Sequence, residues 1–191
     1  MNIGIVVEGE RDRAAYRELI RKIRDDVESV PAEPCGNDIK LMGKFVRWLK
    51  HFQWHAQISV DKALVIRDSD CSDPVVWESK MEQILAQSHF VPRFPVHFHA
   101  TKCEVETWLM ADEAAINHVA HSRGKRGSVS KVTIPLESHR NAKELFQKVL
   151  SKVRLPADPK VYQEIASAAN IDRIAAICPH FQRFVERVRA C

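Results

Sequence analysis

Ala63-Leu64-Val65-Ile66-Arg67-Asp68-Ser69-Asp70 is the stretch on which the reading of this chain turns. Four apolar residues in a row leave no polar face, the pattern of a strand covered on both sides within a parallel sheet. The run then stops in two aspartates one residue apart. Ile3-Gly4-Ile5-Val6-Val7 repeats the pattern and stops in Glu8-Gly9. In open α/β sheets, ligands lie beyond the carboxyl ends of the strands, so Glu8, Asp68 and Asp70 are expected to gather at one edge. Alternate residues at a strand end project alike, which turns both aspartates of the D-x-D toward one point. Oxygen donors of this kind suit a hard cation, Mg²⁺ or Mn²⁺, whose shell phosphate oxygens often complete. The bland alternative is a polar strand exit and a solvated turn.

Outward from these two strands, helical and extended signals alternate. Tyr16, Leu19, Ile20, Ile23 and Val27 recur at helical spacing, with Asp12 near the favourable end of that helix's dipole. Ser29 to Cys35 is weakly extended, and Pro31 and Pro34 confine it to an edge strand or a loop. Leu41, Phe45, Leu49 and Phe52 mark a helix from about Asp38 to His55. Asp73-Pro74 is a capped helix start, followed by Trp77, Met81, Ile84 and Leu85. Pro95 to Ala100 reads as a further strand, and Val105, Trp108, Leu109, Ile116 and Val119 as one helix after it. This order predicts an α/β fold, a parallel sheet flanked by helices, over residues 1–120. Residues 121–191 are expected to be a mostly helical extension packed on it, with stripes at Ala142–Val153, Tyr162–Ile165 and Phe181–Val188.

Charge divides along the same line. Residues 1–120 hold 15 Lys/Arg against 19 Asp/Glu, whereas residues 121–191 hold 14 against 6. An acidic half joined to a basic half suits a cation site beside a surface for a polyanion such as nucleic acid. Arg123, Lys125, Arg126 and Lys131 lie among Gly and Ser, which fits mobile phosphate contacts and equally fits a solvated loop. Lys143 is a further candidate. Glu104 and Glu106 precede an apolar helical run, so either can complete the acidic cluster or simply favour a helix N-terminus.

The five cysteines are odd in number, scattered and without a C-x-x-C pair, which predicts reduced thiols in the cytosol. No apolar run approaches the ~20 residues that span a bilayer, and no leader pattern opens the chain. A cytoplasmic protein without a membrane partner is expected. No G-x-x-x-x-G-K-[ST] is present, so the chain itself is not expected to hydrolyse ATP.

Ile3-Gly-Ile-Val-Val-Glu-Gly-Glu10 and Ala63-Leu-Val-Ile-Arg-Asp-Ser-Asp70, in this order, resemble a Toprim domain. That is the Mg²⁺-binding fold of topoisomerases, primases and overcoming-lysogenization-defect nucleases. Glu104-Val-Glu-Thr-Trp-Leu-Met-Ala-Asp112, His139-Arg-Asn-Ala-Lys-Glu-Leu-Phe146 and Cys178-Pro-His-Phe-Gln-Arg-Phe184 are similar to a bacterial family of small Toprim-like proteins described as a domain of unknown function. The resemblance implies that Glu8 acts as general acid or base and that Asp68 and Asp70 hold magnesium. It also implies a neighbouring ATPase of the AAA or ABC type, as in split phage-defence systems. The sequence departs from the pattern D-x-D-x-D at Ser72, so a third ligand is Asp73, Glu104 or Glu106, or is absent.

The expectation that follows is a Mg²⁺- or Mn²⁺-dependent nuclease, a hydrolase of phosphodiester bonds, with the basic half holding the polyanion. A phosphatase of the haloacid dehalogenase type fits less well, because there the D-x-D usually follows the first strand of the core. The other alternative is a non-catalytic scaffold that binds nucleic acid or regulates a partner ATPase.

Overall fold

Strands β1 (Ile3–Val7) and β3 (Lys62–Asp68) are the central pair of a four-stranded sheet in which every neighbouring pair is parallel. In this computed structural model, which describes residues 1–190, the strand order is β2-β1-β3-β4. Strands β2 (Ala32–Pro34) and β4 (Val96–Thr101) form the edges. The proline-bearing segment is thus an edge strand, reduced to three residues.

The apolar runs divide between two cores with a period of two, because successive strand residues face opposite sides of the sheet. Ile3, Ile5, Val7, Leu64 and Ile66 enter one core, while Val6, Ala63, Val65 and Phe98 enter the other. Helix α1 (Glu10–Ile23) covers the first face through Tyr16, Leu19 and Ile20. Helices α2 (Asp38–Trp54) and α3 (Pro74–Gln87) cover the second through Leu41, Phe45, Leu49, Phe52 and Met81. Crossover handedness accounts for this split. The chain steps from β1 outward to β2, then back past β1 to β3 and on to β4, so right-handed connections put α1 on one face and α2 and α3 on the other. At Gly4 a Cβ would sit 2.9 Å from the Phe52 ring, so only glycine lets α2 lie this close to β1.

The remainder adds to the first face. Helices α4 (Val105–Met110), α5 (Glu113–Ser122), α6 (Ala142–Lys152), α7 (Pro159–Ala168), α8 (Ile171–Ile177) and α9 (Pro179–Ala190) all contribute to the core that β1 and α1 begin. Trp108, fully buried, stands at its centre against Tyr16, Phe181 and Phe184. Burial of such side chains, about 1.5–3 kcal/mol each, outweighs the 0–1 kcal/mol typical of surface ion pairs.

Two expectations are corrected. The single helix drawn through Val105 to Val119 is two helices, because Asp112 leaves helical geometry and caps α5, accepting the Ala115 N–H at 3.4 Å. The expectation of reduced thiols throughout fails for Cys71 and Cys103, which form a disulfide. Residues 68 and 101 are register partners on β3 and β4, so the loops leaving these two strands run side by side and bring together cysteines that are 32 residues apart in sequence. Cys35 and Cys178 are free and buried, and burial pushes their thiols up to about 11 and about 12. Cys191 lies outside the described residues. Among the described residues no helix is long and apolar enough to cross a membrane.

Candidate functional site

The strand order reverses between β1 and β3, the point at which an open parallel sheet leaves a crevice beyond its carboxyl ends. Glu8 follows β1 and Asp68 ends β3 at that crevice. The Asp68 N–H donates to Glu8 Oε1 at 3.0 Å, which ties the two strand ends together. A cleft of about 340 Å³ opens there, lined by Glu8, Asp12, Asp38, Asp68, Asp70 and Glu104, with Lys143 as its one lining cation.

Each strand-end loop contributes to the walls. After β1, Gly9 leads into the first turn of α1, where Asp12 Oδ2 accepts the Gly9 N–H at 2.8 Å and so faces the cleft. After β2, Asn37 caps α2 by accepting the Lys40 N–H at 2.8 Å, and Asp38 follows it onto the wall. After β3, Asp70 and Cys71 both take left-handed backbone conformations, with φ of 49° and 62°. Non-glycine residues adopt that region rarely, so the tight turn is held by its surroundings. The disulfide is one such restraint. Lys102 is another, with Nζ donating to the carbonyls of Cys71 and Ser72 at 3.1 and 2.8 Å. Ser72, where the D-x-D-x-D pattern has an acid, is used structurally, as its hydroxyl accepts from Trp77 Nε1 at 2.7 Å. Asp73 is the N-cap of α3, accepting the Val75 N–H at 3.0 Å.

Beneath the floor lies Arg67, only 2% exposed and stacked on the Trp77 ring at 3.4 Å. Its guanidinium stands 3.8 Å from Glu8, 3.4 Å from Asp38 and 4.0 Å from Asp70. One buried cation does not offset so many acids. Burial first, and then neighbouring carboxylates, push Glu8 and Asp12 up to about 7. Asp68 is raised well above its usual range by the same two causes, and Glu104 is raised as well. The cleft therefore holds an excess of negative charge that protons, or a cation, relieve.

Among the described residues, no three His, Cys, Asp or Glu side chains converge closely enough to enclose a metal ion. The donor set nevertheless fits Mg²⁺ or Mn²⁺. It consists of oxygen donors, it carries surplus charge, and Mg²⁺ commonly takes only one or two carboxylates and fills its octahedron with water and phosphate oxygens.

The structure separates the two glutamates that the sequence left as equals. Glu104 lines the cleft and accepts the Lys143 N–H at 2.7 Å. Glu106 is 2% exposed and accepts from the Tyr162 hydroxyl at 2.8 Å, outside the lining. Among the basic candidates, Lys143 stands at the cleft. Arg123 donates through Nε and Nη2 to the two carboxylate oxygens of Glu164, at 2.6 and 2.9 Å. Lys125 and Arg126 line a different cleft, and Lys131 is exposed on the loop that follows. Sequence reasoning missed Asp12 as a member of the acidic site. The available signal was its place in the first helical turn after a strand-end acid, a turn that necessarily faces the same edge.

Comparisons with known proteins bear on the whole chain. The family described as "Domain of unknown function (DUF4276)" matches residues 7–189. No curated protein matches. Among solved structures, the C-terminal region of the Burkholderia pseudomallei OLD protein is 15% identical, with 96% of each chain covered and a TM-score of 0.49. The corresponding region of the Xanthomonas campestris pv. campestris OLD protein is 12% identical, covers 99% of this chain and 98% of its own, and has a TM-score of 0.48.

Proposed function

The chain belongs to the DUF4276 family, and from its acidic cleft we propose that it is a Mg²⁺- or Mn²⁺-dependent nucleic-acid phosphodiesterase with a Toprim-like catalytic centre. The observation that carries this reading is the crowding of protonation-prone carboxylates around Lys143 at the point where the strand order reverses. Asp68 and Asp70 would hold the ion, with Glu104 a further donor in the lining. When bound, such an ion neutralises charge on phosphoryl oxygens and lowers the pKa of an attacking water.

The chain's own groups have distinct parts. Glu8 titrates at about 7, near neutral pH, where a carboxyl can both take and return a proton. Its Oε1 is engaged by the Asp68 N–H, which leaves Oε2 for that proton. Arg67 holds Glu8, Asp38 and Asp70 from below. Lys143 supplies positive charge at the rim for a phosphate. The sequence resemblance adds a defence-type setting and a separate AAA- or ABC-type ATPase as partner.

The test is incubation of the purified chain with labelled DNA and RNA in Mg²⁺ or Mn²⁺, with and without EDTA, beside an Asp68→Ala, Asp70→Ala variant. Cleavage is expected to disappear with chelator and in the variant. Cleavage indifferent to both would overturn the assignment.

A further inference from the structure

We infer that a second cleft, lined by Lys125, Arg126, Lys152 and Arg154, holds a backbone phosphate of the nucleic acid whose cleavage is proposed above; the inference rests on that reading. The cleft measures about 670 Å³, and its remaining lining residues are Gly124 and Gly127, with no carboxylate among them. Among the described residues none of the four cations is in an ion pair, in contrast to Arg123 a few residues away.

Two helix ends build the cleft. Helix α5 closes with Gly124 at φ 69°, the Lys125 N–H bonding the Ala120 carbonyl at 2.8 Å and the Gly124 N–H bonding the His121 carbonyl at 2.9 Å. Helix α6 closes in the same way, the Leu155 N–H reaching the Leu150 carbonyl at 3.0 Å and the Arg154 N–H the Ser151 carbonyl at 3.1 Å. Glycine is the default residue at the left-handed position of such a cap, as at Gly124. In α6 that position is Arg154, at φ 55°, where the backbone is strained for any residue with a Cβ. Gly127 then locks the two ends together. A Cβ there would meet the Lys152 carbonyl oxygen at 2.6 Å and the Val153 Cα at 3.0 Å, so the basic loop lies directly on the end of α6.

Neutralising helix dipoles does not account for this much charge. Two helix C-termini present about −0.5 each, about −1 together, against four cations. A surplus of about three positive charges remains, facing one open cleft.

The basic cleft lies at the far end of the helix that begins at the acidic one. Lys143, at the start of α6, lines the acidic cleft, and Lys152, at its end, lines the basic one. Nine residues of helix put them about 14 Å apart along the axis and about half a turn apart around it, so a strand held at both passes across α6 rather than straight along it. Lys148, four residues before Lys152, is exposed on the same side of α6 as Lys152. Phosphates, repeating on each strand about every 3.4 Å of duplex axis, suit four clustered cations better than the sparser carboxylates of an acidic protein.

Fluorescence anisotropy of labelled DNA and RNA with the full chain in EDTA tests the inference independently of cleavage. A Lys152→Ala, Arg154→Gly variant removes two cations, and its glycine suits the left-handed position, so circular dichroism should report an intact fold. Affinity at about 0.1 M salt is expected to fall at least tenfold, and the slope of log K against log salt by about 1.8 on duplex DNA, the release of two counterions. An intact variant with unchanged affinity and slope would overturn the inference. So would a wild-type chain that ignores nucleic acid at low salt yet binds polyglutamate. Loss of cleavage in the Asp68→Ala, Asp70→Ala variant with binding retained would leave this cleft standing and bear only on the catalytic reading.

Discussion

Asp12 shows how a side chain's environment changes its chemistry. By sequence it is an acid at a helix start, a common and unremarked place. In the fold it shares a cleft with Glu8 and Asp68, and it is pushed from its ordinary 3.8 to about 7, while Glu8 moves from 4.5 to about 7. Both groups bind a proton more tightly folded than unfolded. Their stabilising contribution is therefore complete below about pH 4 and is lost as the pH rises through about 7. In EDTA, Asp12→Asn keeps an oxygen for the Gly9 N–H and removes the charge. It should raise stability at pH 8 by roughly 1–2 kcal/mol and change it little at pH 4.5. Urea unfolding at both pH values measures this, and a variant no more stable than wild type at pH 8 would contradict the account. Saturating Mn²⁺ should stabilise the wild-type protein at pH 8 more than it stabilises the variant. Glu8 and Asp68 were legible as cleft residues because each closes an apolar run, and Asp70 because it follows Asp68 at a spacing of two. Asp12 and the choice of Glu104 over Glu106 were not, since both depend on the direction in which a helix leaves the sheet.

At the level of elements, strands were easier to read than helix boundaries. A run such as Ala63–Ile66 has one explanation, burial on both faces, and the structure places it at the sheet centre. Periodicity is less discriminating. Val105, Trp108, Leu109, Ile116 and Val119 stay in helical phase across the break between α4 and α5, so their spacing conceals it. Asp112 makes the break and then fixes it. Its Oδ2 accepts the Asn170 N–H at 2.8 Å at the start of α8, and its Oδ1 lies 3.6 Å from Arg173 Nη1. Asp112→Ala would remove a cap and leave a partly buried N–H unpaired, a cost of about 2–3 kcal/mol. Denaturant midpoints of the two proteins report it, and a difference below about 0.5 kcal/mol would show that the break does not need its aspartate. The Cys71–Cys103 bridge was illegible for a related reason. It depends on strand register, and 32 intervening residues give no spacing rule.

For the whole molecule, the acidic and basic halves of the sequence are not two bodies. One core takes side chains from β1, α1 and every helix from α4 to α9, and Trp108 joins three of these elements. Unfolding should follow a single transition, with tryptophan fluorescence and far-ultraviolet dichroism coincident. Trp108→Ala should move that transition by about 3–5 kcal/mol without splitting it. Two separated transitions would mean that the helical part unfolds on its own. The alternation of strands and helices forecast the layers correctly, but nothing in the helical stripes said that they would thicken one face of the sheet only.

The disulfide also decides which walls of the acidic cleft are tied to each other. Cys71 and Cys103 weld the loop after β3 to the loop after β4, so Asp68, Asp70 and Glu104 ride on one jaw. Glu8, Asp12 and Asp38 ride on the other, itself fastened where the Gly36 N–H meets the Glu8 carbonyl. The seam between the jaws is crossed by the bond from the Asp68 N–H to Glu8 and by the reach of Arg67 beneath it. The β1–β3 ladder and the buried 2.6 Å bond between the Tyr16 and Thr101 hydroxyls tie the same two sides together. A cleft assembled this way is a braced cradle, and whatever enters meets walls already fixed in place rather than four independent loops.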